Sequence, residues 1–170
     1  MARKNHENNE IYIHDLDNYY VGSHNCLSIP FDDLLANGFN TRQTDVRPAG
    51  SINTAFQLVA VIFQLQSLQQ FGGVSATHLD WTMIPYVRKS FVKHYKDGWE
   101  FLEEKPWTQV DYEIANMAEN AVDYSIDDSE WKAYNQRVYD YAINKTRAEI
   151  HQAAEGLYHN LNTLQSRSGN

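Results

Sequence analysis

The stretch Ser51-Ile52-Asn53-Thr54-Ala55-Phe56-Gln57-Leu58-Val59-Ala60-Val61-Ile62-Phe63-Gln64-Leu65-Gln66-Ser67-Leu68-Gln69-Gln70-Phe71-Gly72-Gly73 decides how the chain is read. Between Ala55 and Phe63 its apolar residues fall on nearly every side of a helix, the pattern of a helix buried all round. Ser51 is placed to cap its N-terminus, and Gly72-Gly73 is a stop signal, so the spacing predicts a helix over 52–71. Residues 48–77 hold no charged side chain. Even so, the longest unbroken apolar run is Leu58 to Phe63, with Gln57, Gln64, Gln66, Gln69 and Gln70 around it. A membrane span needs about 20 mostly apolar residues, so the segment reads as a buried protein helix. A helix buried all round in a chain of 170 residues implies a neighbour, either more of a larger domain or a second subunit.

On its C-terminal side, Asp80 or Thr82 is placed to cap a further helix, with Pro85 in its first turn. Ile84, Val87, Phe91 and Tyr95 form its apolar stripe, with Arg88 at the edge and Lys89 and Lys93 on the opposite face. Pro106 marks a break, and residues 110–124 read as helical. Asp127-Asp128-Ser129 reads as the start of the last long helix, its acidic charge favoured by the helix dipole. Trp131, Tyr134, Val138, Tyr141 and Ala142 make its stripe, continued by Ile150, Ala153, Ala154, Leu157, Leu161 and Leu164.

On the N-terminal side, residues 1–9 read as a polar lead-in. Residues 10–16 alternate Ile11 and Ile13 with Tyr12 and His14, the period of a short strand. Residues 25–30 form a second extended run closed by Pro30. Residues 31–36 form a short helix stopped by Asn37-Gly38, and residues 39–50 an ordered loop ending Arg47-Pro48-Ala49-Gly50. The predicted fold is mainly α with a few short strands at the front, in a single domain spanning 1–170.

Net charge is -8, which argues against non-specific binding to nucleic acid or to an acidic membrane. A nucleotide is not excluded, since a phosphate site needs only a few local donors. The 13% aromatic content reads first as packing. With one cysteine, Cys26, there is no internal disulfide. The polar N-terminus has no signal-peptide apolar region. A cytoplasmic protein is expected.

Two His, two Asp and one Cys lie between His14 and Cys26, the densest run of reactive groups. His, Asp and Cys are all competent metal ligands, but no spacing here matches a compact metal site. Cys26 near His14 or His24 is a candidate redox or nucleophilic thiol; a free cysteine is, equally, commonly a small buried hydrophobe. Arg88, Lys89, Lys93 and Lys96 form a basic cluster that reads either as a solvated helix face or as a phosphate contact.

Ile11-Tyr12-Ile13-His14-Asp15-Leu16-Asp17 followed by Asn25-Cys26-Leu27 resembles the opening of the catalytic barrel of anaerobic, glycyl-radical ribonucleoside-triphosphate reductases. Gly38-Phe39, Thr41-Arg42, Asp45-Val46-Arg47-Pro48-Ala49, Gln70-Phe71-Gly72-Gly73, Tyr86-Val87-Arg88-Lys89-Ser90-Phe91 and His159-Asn160-Leu161-Asn162-Thr163-Leu164 continue the resemblance in order, to Ser166-Arg167-Ser168-Gly169. It implies part of a ten-stranded α/β barrel of the type shared with pyruvate formate-lyase. It implies for Cys26 the role of the cysteine on the first barrel strand, which takes part in reducing the ribonucleotide, with His14 and Asn25 in the substrate-site vicinity. It further implies deoxynucleotide effectors read at a dimer interface of early helices. Arg47, Ser51 and Lys93 are then effector-binding candidates and the 52–71 helix suits the interface, giving a homo-oligomer.

In that family the thiyl-radical cysteine, the glycyl-radical loop, the four-cysteine zinc site and the ATP-binding regulatory domain lie outside the segments matched here. The expectation is therefore the front section of the barrel, carrying no cofactor of its own and no metal site. On its own it is expected to be inactive towards ribonucleoside triphosphates. The alternative from another class is a non-catalytic helical module for dimerisation or effector binding.

Overall fold

Glycine at position 38 fixes the first turn of the architecture. In the computed structural model, which describes residues 1–13, 16, 26–41, 44–69, 72–106, 108–112, 132 and 135–163, Gly38 has φ 75° and ψ -177°. A Cβ there would lie 2.2 Å from the carbonyl oxygen of Val46. Only glycine fits both the dihedral and the space. Helix α2 (Phe31–Asn37) ends at this residue, as the Asn37-Gly38 signal predicts. Asp32 and Asp33 occupy its first turn, where the helix dipole favours them.

After the turn the chain forms a minimal antiparallel hairpin, β2 (Phe39–Asn40) with β3 (Asp45–Val46), pairing Phe39 with Val46. The segment expected to be a loop thus contains two short strands. Thr41 and Thr44 close it, the amide of Thr41 donating to the carbonyl of Thr44 at 2.8 Å. Strand β1 (Leu27–Ser28), inside the predicted extended run, pairs parallel with β4 (Val74–Ser75). Between them lie α2, the hairpin and α3 (Ile52–Gln69). Strand β4 follows Gly72-Gly73, where the sequence reading placed only a helix stop. It exists because β1 supplies a partner: Leu27 N–H donates to the Gly73 carbonyl and Ile29 N–H to that of Ser75.

Three expected elements differ. The polar lead-in contains a helix, α1 (Ala2–Glu7), supported by an Arg3–Glu7 ion pair and ended by Asn9 at φ 62°. Residues 10–13 form no strand. Their backbone folds back on α1, Glu10 N–H reaching the Asn5 carbonyl and Ile13 N–H the His6 ring nitrogen. Ile11 and Tyr12 stay exposed and Ile13 is half-buried. Helix α4 (Leu79–Glu103) begins before both predicted caps, after His78 in the left-handed region, and Pro85 lies within the helix.

Two stripes are also corrected. Helix α3 is not buried all round: Ile52, Ala55, Val59, Ala60 and Ile62 are buried, but Val61, Leu65 and Leu68 are exposed. On α4 the buried face is Met83, Tyr86 and Ser90, continuing to Tyr95 and Trp99, while Ile84 is exposed. Hydropathy favours Ile84 over Ser90; the structure buries Ser90 because its hydroxyl has a partner in the core. Helix α5 (Gln136–Thr163) buries Val138, Ala142, Ala153 and Leu157 as expected, but Leu161 is exposed. Asn135 is not helical and caps α5 through its side-chain oxygen on Val138 N–H, so no single helix runs through from residue 127. The predicted start at 127–129, the residues Trp131, Tyr134 and Leu164, and most of the 110–124 helix lie outside the described residues.

The core has two parts. One gathers Ile29, Phe31, Leu35, Ala49, Ile52, Val59, Met83, Tyr86 and Leu157; the other gathers Tyr95, Trp99, Val110, Val138, Tyr139 and Ala142. Burying each large aliphatic or aromatic side chain contributes about 1.5–3 kcal/mol. The long helices α4 and α5 run through both parts. They approach closely at Gly98, where a Cβ would meet Val138 and Tyr141 at 3.1 and 3.0 Å. Nearby, the His94 ring lies 2.8 Å from the Glu149 carboxylate across the same helix pair. Among the described residues no helix is long and apolar enough to cross a membrane.

Candidate functional site

Cys26 stands immediately before β1 and is exposed. The parallel pairing of β1 with β4 sets its neighbour: the thiol lies 4.0 Å from where a Cβ on Gly73 would be. A Cβ at position 73 would make an ordinary van der Waals contact with the sulfur. Leu27 and Ile29 are held to β4 by backbone hydrogen bonds of 3.1 and 3.0 Å, so the strand that carries the thiol is fixed on one side. Chemically this is an accessible thiol at the end of a short parallel ladder. His14 and Asn25, the residues expected beside it, lie outside the described residues. Among the described residues no group of three or more His, Cys, Asp or Glu side chains could hold a metal ion.

The second candidate region is the loop before α3. Arg47 is exposed there, and Ala49 is buried. Ser51 does cap the helix: its Oγ accepts from Thr54 N–H at 3.2 Å. The Ile52 N–H is taken by the buried hydroxyl of Ser90 at 3.0 Å. Two donors of the first turn of α3 therefore have partners within the protein. Lys93 is exposed on α4. The lysine that reaches the loop is instead Lys89, whose ammonium donates to the Ala49 carbonyl at 3.1 Å and lies 5.0 Å from the centre of the Tyr86 ring. The expected placement of Lys89 on the face away from the core is corrected. Its charge has a backbone acceptor and an aromatic face beside it while its stem lies along the protein.

Tyr86 connects this region to α2. Burial, and then the negative charge of Asp32, push its phenol above the ordinary tyrosine value. Asp32 in turn accepts a hydrogen bond from the Thr82 hydroxyl. Further along α3, Gln57, Ala60, Val61 and Gln64 face Asn160 and Thr163 of α5 across an open groove of about 420 Å³. Its lining combines uncharged amide and hydroxyl groups with an apolar floor.

Across residues 1–170 the chain matches the family model described as anaerobic ribonucleoside-triphosphate reductase. The chain belongs to that family. It is 26% identical over 165 residues to the anaerobic ribonucleoside-triphosphate reductase of Salmonella typhimurium, covering 96% of this chain and 19% of the relative. To that of Haemophilus influenzae it is 32% identical over 97 residues, 56% of this chain and 14% of the relative. To that of Enterobacteria phage T4 it is 25% identical over 167 residues, 98% of this chain and 22% of the relative. The chain thus spans about a fifth or less of the length of these curated relatives.

Family membership bears out the resemblance carried by the ordered motifs. Lys89 and Ser90 were within reach of the sequence reading, since both stand in the Tyr86-Val87-Arg88-Lys89-Ser90-Phe91 motif. Their roles were hidden because both depend on contacts about 40 positions away. The groove between α3 and α5 joins residues about 100 positions apart and leaves no local signal.

Proposed function

We propose that this chain is the opening section of the catalytic barrel of an anaerobic ribonucleoside-triphosphate reductase, and that Cys26 is its thiol for ribonucleotide reduction. The observation that carries this reading is the exposed sulfur of Cys26 beside Gly73, immediately before β1, in a chain matched to the family along its whole length. In such a reaction the thiol gives up an electron and a proton towards the ribose as the 2′ hydroxyl leaves as water. It works as a pair with a second cysteine that carries the thiyl radical, the remaining electron coming from formate or a dithiol. A chain with one cysteine cannot form that pair within itself, so these 170 residues alone do not turn over. The test is deoxynucleotide formation by the purified chain under anaerobic conditions with the activating enzyme. The expected result is none; measurable product overturns the reading.

A second reading concerns regulation. The exposed apolar residues Val61, Leu65 and Leu68, with the neutral groove beside them, make α3 a surface on which two copies of a chain of net charge -8 can meet without facing like charges. We propose that this face forms a homodimer. Deoxynucleotide effectors then bind near it, with Arg47, Ser51 and Lys93 as the contact residues. Titration of dATP, dGTP and dTTP into the chain tests the effector part. Base-selective binding that Arg47→Ala weakens supports it, and equal weak binding of all three, unchanged in that variant, overturns it.

A further inference from the structure

We infer that Lys89 is a positioning residue that couples the 47–51 loop to the strand carrying Cys26, an inference that rests on reading that loop as an effector contact and Cys26 as the reductive thiol. The centre of the coupling is the backbone of Ala49, a residue only 1% exposed. Its N–H donates to the carbonyl of Leu35 in α2 at 3.0 Å. Its carbonyl accepts from the Lys89 ammonium of α4 at 3.1 Å. The loop is thereby pinned between two helices through the backbone of one buried residue.

Helix α2 passes the constraint on. It follows β1 with only Ile29 and Pro30 between, and those are themselves bonded: Phe31 N–H to the Ile29 carbonyl at 3.0 Å and Leu34 N–H to that of Pro30 at 3.2 Å. Near its start, Asp32 holds the Thr82 hydroxyl of α4. A shift of Ala49 therefore pulls on a short rigid helix joined directly to the strand beside Cys26. Coupling of this kind requires an element with two arrangements. Lys89 supplies it, because its ammonium has two possible acceptors. Without a ligand it takes the neutral carbonyl of Ala49. An anionic phosphate at the loop is a stronger acceptor, since hydrogen bonds between charged groups are roughly twice as strong as neutral ones. Transfer of Lys89 to the phosphate releases the Ala49 carbonyl and loosens α2 and β1.

The test is residue-resolved amide hydrogen exchange on the full 170-residue chain, comparing the unaltered protein with Lys89→Met, Lys89→Arg and, as a control on α1, Lys4→Met. Lys89→Met is expected to raise exchange at Ala49 and at Leu27 and Ile29 by tenfold or more, with Ala142 of α5 unchanged. Lys89→Arg restores protection and Lys4→Met leaves it unchanged. Faster exchange at Ala49 with Leu27 and Ile29 unchanged overturns the coupling. So does a uniform rise that includes Ala142, which is general destabilisation. Adding dATP, dGTP or dTTP to the unaltered protein is expected to reproduce the Lys89→Met pattern. If the nucleotides alter no amide while Lys89→Met still gives its pattern, the tie stands and the effector reading of the loop fails.

Discussion

The N–H of Ile52, the first residue of α3, donates to the hydroxyl of Ser90, 38 positions later and fully buried. A helix leaves its first N–H groups without intrahelical partners, and here a side chain from α4 satisfies one of them inside the core. Ser90→Ala removes the acceptor and leaves that N–H buried. The expected loss is about 1–3 kcal/mol, measured as a lower denaturation midpoint with an unchanged slope. Ser90→Thr is a harsher change than it looks, since its added methyl enters a filled site. A Ser90→Ala variant as stable as the parent would mean that water reaches Ile52.

Gly38 holds the junction between α2 and the β2–β3 hairpin. Gly38→Ala places a methyl against the Val46 carbonyl oxygen in a backbone region that side chains rarely adopt. The dihedral alone costs about 1–3 kcal/mol, and the overlap is with backbone, which cannot rotate away. Destabilisation of roughly 3 kcal/mol or more is expected, near the limit that a marginally stable domain tolerates. Gly50→Ala is the contrasting control, because a Cβ there meets nothing within 4 Å. Similar losses from the two substitutions would contradict this account of the turn.

Much of this was visible in the amino-acid order, and the pattern of what was not has a common cause. Ser51 as a cap, the stop at Asn37-Gly38 and the extended run before Pro30 are local signals, and all three match the structure. The β1–β4 ladder, the burial of Ser90 and the tie from Lys89 to Ala49 each depend on a partner more than 35 positions away. No local period encodes such partners. The alternation at Ile11 and Ile13 shows the converse: a correct strand period gives no strand where the backbone pairs with α1. Cys26 was legible from its neighbours as one candidate thiol, and the ordered family motifs alone gave it a role. Its place beside Gly73 needed the register of two strands.

Tyr86 makes stability depend on alkaline pH. Its phenol is raised in the folded chain, by burial first and by Asp32 second. A group raised on folding keeps its full contribution below its unfolded value of about 10. It loses that contribution as pH rises through the higher folded value, because the unfolded chain releases the proton first. Tyr86→Phe should therefore show a flatter decline in stability above about pH 10 than the parent, with a constant offset below it. Urea unfolding at several pH values from neutral to alkaline measures both. Parallel curves across the whole range would remove Tyr86 as the cause.

The exposed face of α3 gives the last prediction. Val61 is 41% and Leu68 51% exposed, and the helix that carries them has no charged residue. In a two-fold dimer each copy presents the same patch to the other. A lysine introduced there is therefore brought close to its own symmetry mate and must also lose water. Val61→Lys and Leu68→Lys are both solvent-facing changes, so the fold should tolerate them with changes within about 0.5 kcal/mol. The parent chain is expected to be a dimer by light scattering, and each variant is expected to shift it to monomer with unaltered circular dichroism. A parent chain that is already monomeric, or a dimer indifferent to both lysines, would show that the copies do not meet through α3. The groove beside Gln57 and Asn160 would then need another occupant.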